Sequence, residues 1–265
     1  MYQRCPKCGA VAYARSLYDD GYYCFPRQGG CGEKFPPPLE WDMGLLYCKI
    51  GANRFLRNTI ECFSHGPYYA VRHGKGDRLS KLILEIKNSF LESTEQQVRR
   101  ACDEISSIVS ADLDKLVQRD DRFKKDRPVV MAVPRSKPDG YWHASQLQFR
   151  VALSLAVKKS RLVVKGGSEK WIIDAVDWIQ RVAETKTTHK RRIADGKNNG
   201  PDPYPGITRD TCQIRKSVRG RPIILVDDIY TADVGIDEDC AQFLLDNGAS
   251  SVLLYTLGKT TMPEN

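Results

Sequence analysis

The sequence predicts an α/β chain, a parallel β-sheet covered by helices, set behind a small module organised by four cysteines. Three observations carry this expectation. Short, wholly apolar runs such as VVMAV and IILV are strands of the kind buried on both faces of a parallel sheet. Helical patterns alternate with such runs along most of the chain, as crossover connections require. Four of the nine cysteines fall within the first 31 residues, ahead of three consecutive prolines.

Over its 265 residues the chain is 41% hydrophobic and 28% charged, which excludes wholesale disorder and leaves room for one large core plus a satellite. No run approaches the roughly 18 apolar residues that a membrane helix needs. The opening MYQRCPKCGA has no apolar leader core, so a cytoplasmic location is expected, with its thiols reduced and its cysteines serving as metal ligands or buried apolar groups. The net charge of +8 favours polyanionic partners: nucleic acid, nucleotides or a pyrophosphate.

Residues 1–38 read as a zinc ribbon. Cys5 and Cys8, followed by Gly9, make a thiolate-bearing turn, and Cys24 and Cys31, followed by Gly32, make a second; together they offer zinc four soft ligands. The stretch between the pairs alternates apolar and aromatic residues around a turn at Asp20-Gly21, as a hairpin would. A segment this short holds too little core to fold without such a staple. Pro36-Pro37-Pro38 ends the ribbon.

Residues 39–76 read as a strand-rich connector or hood beside the main domain, with strands at LLYCKI, TIECF and YYAVRH. The main domain then occupies residues 77–265. Asp77 caps a helix over 77–92, and a longer helix runs over about 94–119 with Val98, Cys102, Ile105, Ile108 and Val109 on one stripe. The strand VVMAV follows, then the loop PRSKPDG, a helix through HASQLQFRVALSLAVKK, a strand at RLVVKGG (161–167) and a helix over 168–184. RPIILVDDIY is a strand, EDCAQFLLDNG a helix and SSVLLYTLGK the last strand.

The segment IILVDDIYTADVG, residues 223–235, carries the chemistry: a buried strand ends in two adjacent acids, and a turn of small residues leads into a helix. Backbone N–H groups at such a helix start cradle anions, while carboxylates at the strand tip bind a sugar diol or magnesium. This pattern resembles the phosphoribosyl pyrophosphate (PRPP) motif of type I phosphoribosyltransferases. The resemblance implies that Asp227 and Asp228 hold the ribose hydroxyls and that the turn beginning at Thr231 binds the 5′-phosphate. Ala232 stands where that family has a second threonine and Asp233 where it has glycine, which sets a carboxylate where a phosphate dianion would approach.

The stretch VVMAVPRSKPDGYWHASQLQFRVALSLA is similar to the corresponding part of the ComF family, zinc-bearing phosphoribosyltransferase-like proteins of bacterial DNA uptake. Gly140, Tyr141, Trp142, His143 and Ala144 stand at that family's Gly-Phe-Asn-Gln-Ala, and Arg135-Ser136-Lys137 at its pyrophosphate loop, where two cations suit a diphosphate. His143 reads more simply as a residue packed at a helix start. The basic loop that includes Lys186, Lys190, Arg191 and Arg192 is expected either to close over a ligand or to contact a nucleic-acid backbone.

Three functions follow from these resemblances. The first is a ComF-type protein of nucleic-acid processing, in DNA uptake or defence, whose partner is single-stranded DNA or a DNA-processing protein. The second is an active PRPP- and magnesium-dependent transferase, which works by positioning and charge stabilisation and needs no dedicated nucleophile. The third is an effector of a retron-type antiphage system held by a complex of reverse transcriptase and DNA.

Overall fold

The computed structural model describes residues 2–5, 7–8, 10–14, 22–32, 34–35, 40–69, 77–164, 167, 169–187, 198–232 and 234–261. Its N-terminal part is an antiparallel sheet of four short strands, β1 (Tyr2–Arg4), β2 (Val11–Ala14), β3 (Tyr22–Tyr23) and β4 (Lys34–Phe35), paired in chain order. The expected turn at Asp20-Gly21 and the three prolines lie outside the described residues.

The main sheet has seven strands: β5 (Glu40–Asp42), β6 (Leu45–Ile50), β7 (Ile60–Tyr68), β8 (Val129–Ala132), β9 (Ile173–Asp174), β12 (Pro222–Tyr230) and β13 (Ser251–Thr260). Their order is β5-β6-β7-β13-β12-β8-β9, parallel from β7 to β9 and antiparallel in the β5-β6-β7 meander. The segment expected as a hood therefore supplies three strands to the main sheet. The reason is that Leu45, Phe63 and Cys62 are apolar on both faces and extend the same buried layers as β13. The strand expected at YYAVRH reaches only Tyr68 at the end of β7, and residues 70–76 lie outside the described set.

Period-two alternation along β12 explains the unbroken apolar run. Ile224 and Val226 face α1 (Arg78–Lys87), α2 (Glu95–Arg119) and α4 (Gln148–Lys159), whereas Ile223 and Leu225 face α6 (Ile236–Asp246). Asp77 caps α1, and Thr94 with Gln97 forms a capping box that starts α2. The first helix stops at Lys87, short of the expected 92, because Asn88 takes a left-handed φ of 40°. The short helix α3 (Asp121–Lys125) leads from α2 into β8. A buried carboxylate ties α2 to the sheet: Asp112 accepts from His65 Nδ1 and Tyr255 Oη at 2.8 Å and from Lys115 Nζ at 3.0 Å. Burial alone would raise Asp112, but these donors, His65 first among them, hold it below the usual carboxylate range.

Two expected elements are absent. The strand expected at 161–167 shows only an isolated bridge between Val163 and Lys170, with residues 165 and 166 outside the described set. The helix expected over 168–184 is replaced by β9 and by β10 (Ile179–Arg181), which pairs antiparallel with β11 (Cys212–Ile214). The spacing of Ile172, Ala175, Val176 and Ile179 mimics a helix. The open edge of β8 competes for the same backbone, taking bonds from Ile173 N to Pro128 O and from Ala175 N to Val130 O. The Asp174 carboxylate adds a local turn by accepting from Val176 N. A short helix α5 (Ile207–Thr211) completes the described elements, among which no helix is long and apolar enough to cross a membrane.

Candidate functional site

Strand β12 lies between β8 and β13, and its second half carries Asp227 and Asp228. Pairing with β8 ends at Val226↔Ala132, extended by Val133 N to Val226 O at 2.9 Å, whereas pairing with β13 continues to Tyr230↔Lys259. The loop after β8 thus peels away beside the two acids. The acids thus sit toward the carboxyl ends of the parallel strands, the usual ligand position of open α/β sheets.

Asp228 receives Lys87, from the last turn of α1, with Nζ 2.9 Å from Oδ1 and 2.8 Å from Oδ2. Burial works against the Lys87 ammonium, but Asp228 and then Asp227 outweigh it and keep its pKa above the ordinary value. Asp227 accepts from Asp228 N at 2.8 Å and shares a hydrogen bond with Asp237, in the first turn of α6. Burial, reinforced by the charge of Asp228, pushes Asp227 up to about 7. Burial and Asp227 push Asp237 well above the carboxylate range. The pair therefore holds a shared proton near neutrality, as close carboxylates must.

From the β8 loop, Arg135 stacks its guanidinium 4.1 Å over the Trp142 ring and donates to Gln146 O at 2.5 Å. Burial lowers its pKa, while the charges of Asp228 and then Asp227 act in the opposite sense, which puts Arg135 within electrostatic reach of the acid pair. Ser136 binds the neighbouring segment: its carbonyl accepts from Thr185 N at 2.7 Å and its Oγ meets Thr187 Oγ1 at 2.6 Å. Lys137 is only 8% exposed and points away, with Nζ on Glu184 at 2.9 Å and on Asn199 O at 2.5 Å. His143 is exposed and caps the turn that precedes α4. Of the basic loop, Lys186 lies 3.4 Å from Asp202, while Lys190, Arg191 and Arg192 lie outside the described residues.

Thr231 Oγ1 meets Thr260 Oγ1 at 2.7 Å, Ala232 packs on the apolar cluster under α6, and Asp233 lies outside the described residues. The first turn of α6 is filled by three buried acids of the chain itself. Besides Asp237, Glu238 accepts from Tyr230 Oη at 3.1 Å, and Asp239 accepts from Gly206 N and Thr208 N at 2.5 and 2.7 Å. These acids occupy the positive end of the helix that an anion would otherwise take. The arrangement suits hydroxyl groups or a cation at the acids and an anionic group at Arg135.

Lys87 and Asp237 escaped the sequence reading, and Trp142 entered it only as part of the segment 140–144, with no role of its own. Lys87 lies about 140 residues from the acids it pairs with, and no local pattern announces it. Asp237 carried one signal, an acid ten residues after Asp227 in a chain turning back over its own strand.

In the N-terminal sheet the Sγ atoms of Cys5, Cys8, Cys24 and Cys31 all lie within 4.8 Å of one another, with Cys5–Cys31 at 3.6 Å and Cys8–Cys24 at 3.5 Å. A tetrahedron of sulfurs about 2.3 Å from zinc has edges of about 3.8 Å, so the four thiols fit that ion. The donation of Cys31 N to Cys24 Sγ at 3.3 Å supplies the backbone support expected of a thiolate. At Gly30 an added Cβ would strike Cys24 Sγ. A bond from the Ala10 backbone lowers the exposed Cys8 thiol to about 7, whereas burial pushes the Cys24 thiol up to about 12.

No protein-family model matches the chain, and searches of curated proteins and of solved structures likewise return no match.

Proposed function

We propose that this chain is a phosphoribosyltransferase-like protein of the ComF type, cytoplasmic, acting on nucleic acid or with a DNA-processing protein, with a structural zinc in its N-terminal ribbon. The observation that carries the reading is the convergence of Asp227 and Asp228 with Arg135 at the ends of adjacent parallel strands. The same site supports a ligand-holding role over efficient PRPP turnover. Lys87 already neutralises Asp228, and Asp237 places a buried acid at the helix start where the family's 5′-phosphate would sit. If magnesium enters, Asp227 and Asp228 would hold it, and it would supply charge neutralisation for a diphosphate; Arg135 would orient that diphosphate.

Calorimetry with PRPP and magnesium, together with single-stranded DNA binding, tests the reading. Expected are DNA binding that survives Asp227→Ala plus Asp228→Ala but is lost when Lys190, Arg191 and Arg192 are all changed to alanine, and no release of pyrophosphate from PRPP. Release of pyrophosphate that depends on the two acids would establish the transferase instead. Absence of DNA binding by the native chain would overturn the proposal.

A further inference from the structure

In the antiparallel ladder between β6 and β7, Cys48 stands directly opposite Cys62, flanked by the pairs Leu46↔Ser64 and Ile50↔Ile60. Directly opposed residues project from the same face with Cβ atoms about 4.5–5.5 Å apart. A disulfide needs Cα atoms about 4.4–6.8 Å apart and Cβ atoms about 3.5–4.5 Å apart, so closing one here asks for side-chain rotation and a small local approach of the strands. The two thiols are already in hydrogen-bonding contact. Cys62 is buried, at 1% exposure, whereas Cys48 is partly open to solvent and offers a way in. Of the five cysteines beyond the N-terminal cluster, these two alone face each other across a described ladder. The pair lies on the α6 side of the sheet, within electrostatic reach of Asp237 of the candidate site.

We propose that Cys48 and Cys62 form a reversible cross-strand disulfide by exchange with a low-molecular-weight disulfide. The Cys48 thiolate attacks one sulfur of the small disulfide, forming a mixed disulfide and expelling one small thiolate. The Cys62 thiolate then attacks Cys48 Sγ and expels the second. Two protein thiols are oxidised, one small disulfide is reduced to two thiols, and the two protons pass to the leaving thiolates. In the mixed disulfide Cys48 no longer bears a thiol, but burial still opposes ionisation of Cys62, so the second step is slow at neutral pH and accelerates toward pH 9.

The test incubates the full chain with oxidised glutathione at pH 7 and pH 9, alkylates it after unfolding and maps the peptides. A linked pair of peptides carrying Cys48 and Cys62, reversed by dithiothreitol and formed several-fold faster at pH 9, is the expected result. The variant Cys62→Ala should instead keep glutathione on Cys48, and Cys48→Ser should leave Cys62 unmodified in the folded chain. A native chain that retains glutathione on Cys48 with Cys62 still alkylatable after prolonged incubation would overturn the proposal, as would one that stays unmodified at both positions.

Discussion

Replacing Asp227 with asparagine tests whether the strand tip stores unfavourable charge. Its carboxyl titrates at about 7 in the folded chain because burial and Asp228 oppose ionisation, against an unfolded value of about 3.9. A raised carboxyl makes its full contribution to stability below about pH 4, and that contribution is lost as pH rises through about 7. Three pH units at about 1.36 kcal/mol each set a ceiling of about 4 kcal/mol. The side chain is partly open to water, so about half of that, roughly 2 kcal/mol, is expected. Asparagine keeps the Oδ1 acceptor for Asp228 N and can donate to Asp237, so it removes the titration with little change in shape. Urea unfolding of the native chain and Asp227→Asn should show the variant about 2 kcal/mol more stable at pH 8.5, with the gap closing toward pH 4. Equal or lower stability of the variant at pH 8.5 would refute the account of a buried, proton-sharing acid pair. A gain in stability on losing a site residue is what a strained functional site predicts.

Three further outcomes are expected. Asp112→Ala leaves the buried Tyr255 hydroxyl without its acceptor and strips His65 and Lys115 of theirs, and should cost about 3 kcal/mol in urea unfolding at pH 7. Gly235→Ala forces alanine to a φ of +74° and drives its Cβ into the Phe55 ring, so a loss of about 2–4 kcal/mol is expected, read as a lower thermal midpoint. Elemental analysis should find one zinc per chain, and Cys24→Ser or a strong chelator should remove it and unfold the ribbon, seen as loss of protection of residues 2–35 from hydrogen exchange.

The sequence by itself determined the α/β class, because strands buried on both faces admit no polar residue, and the cysteine cluster, because four soft ligands need a recognisable spacing. It also placed Asp227 and Asp228 on a strand directly after an apolar run that stops at Val226, although that strand continues to Tyr230. Only the tertiary structure decided how the edges of the sheet are filled. The segment expected as a helix over 168–184 instead pairs with β8 at Ile173 and Asp174 and with β11 at Ile179–Arg181, because unpaired strand edges override local periodicity, and residues 40–68 join the sheet for the same reason. The partners of the acids were also settled in three dimensions. Lys87 and Asp237 reach them from two different helices, and Lys137, a loop cation like Arg135, turns instead to Glu184. Charge acts through distances that chain order does not contain, so composition raised the expectation of an anionic partner while folding decided how the loop cations are paired.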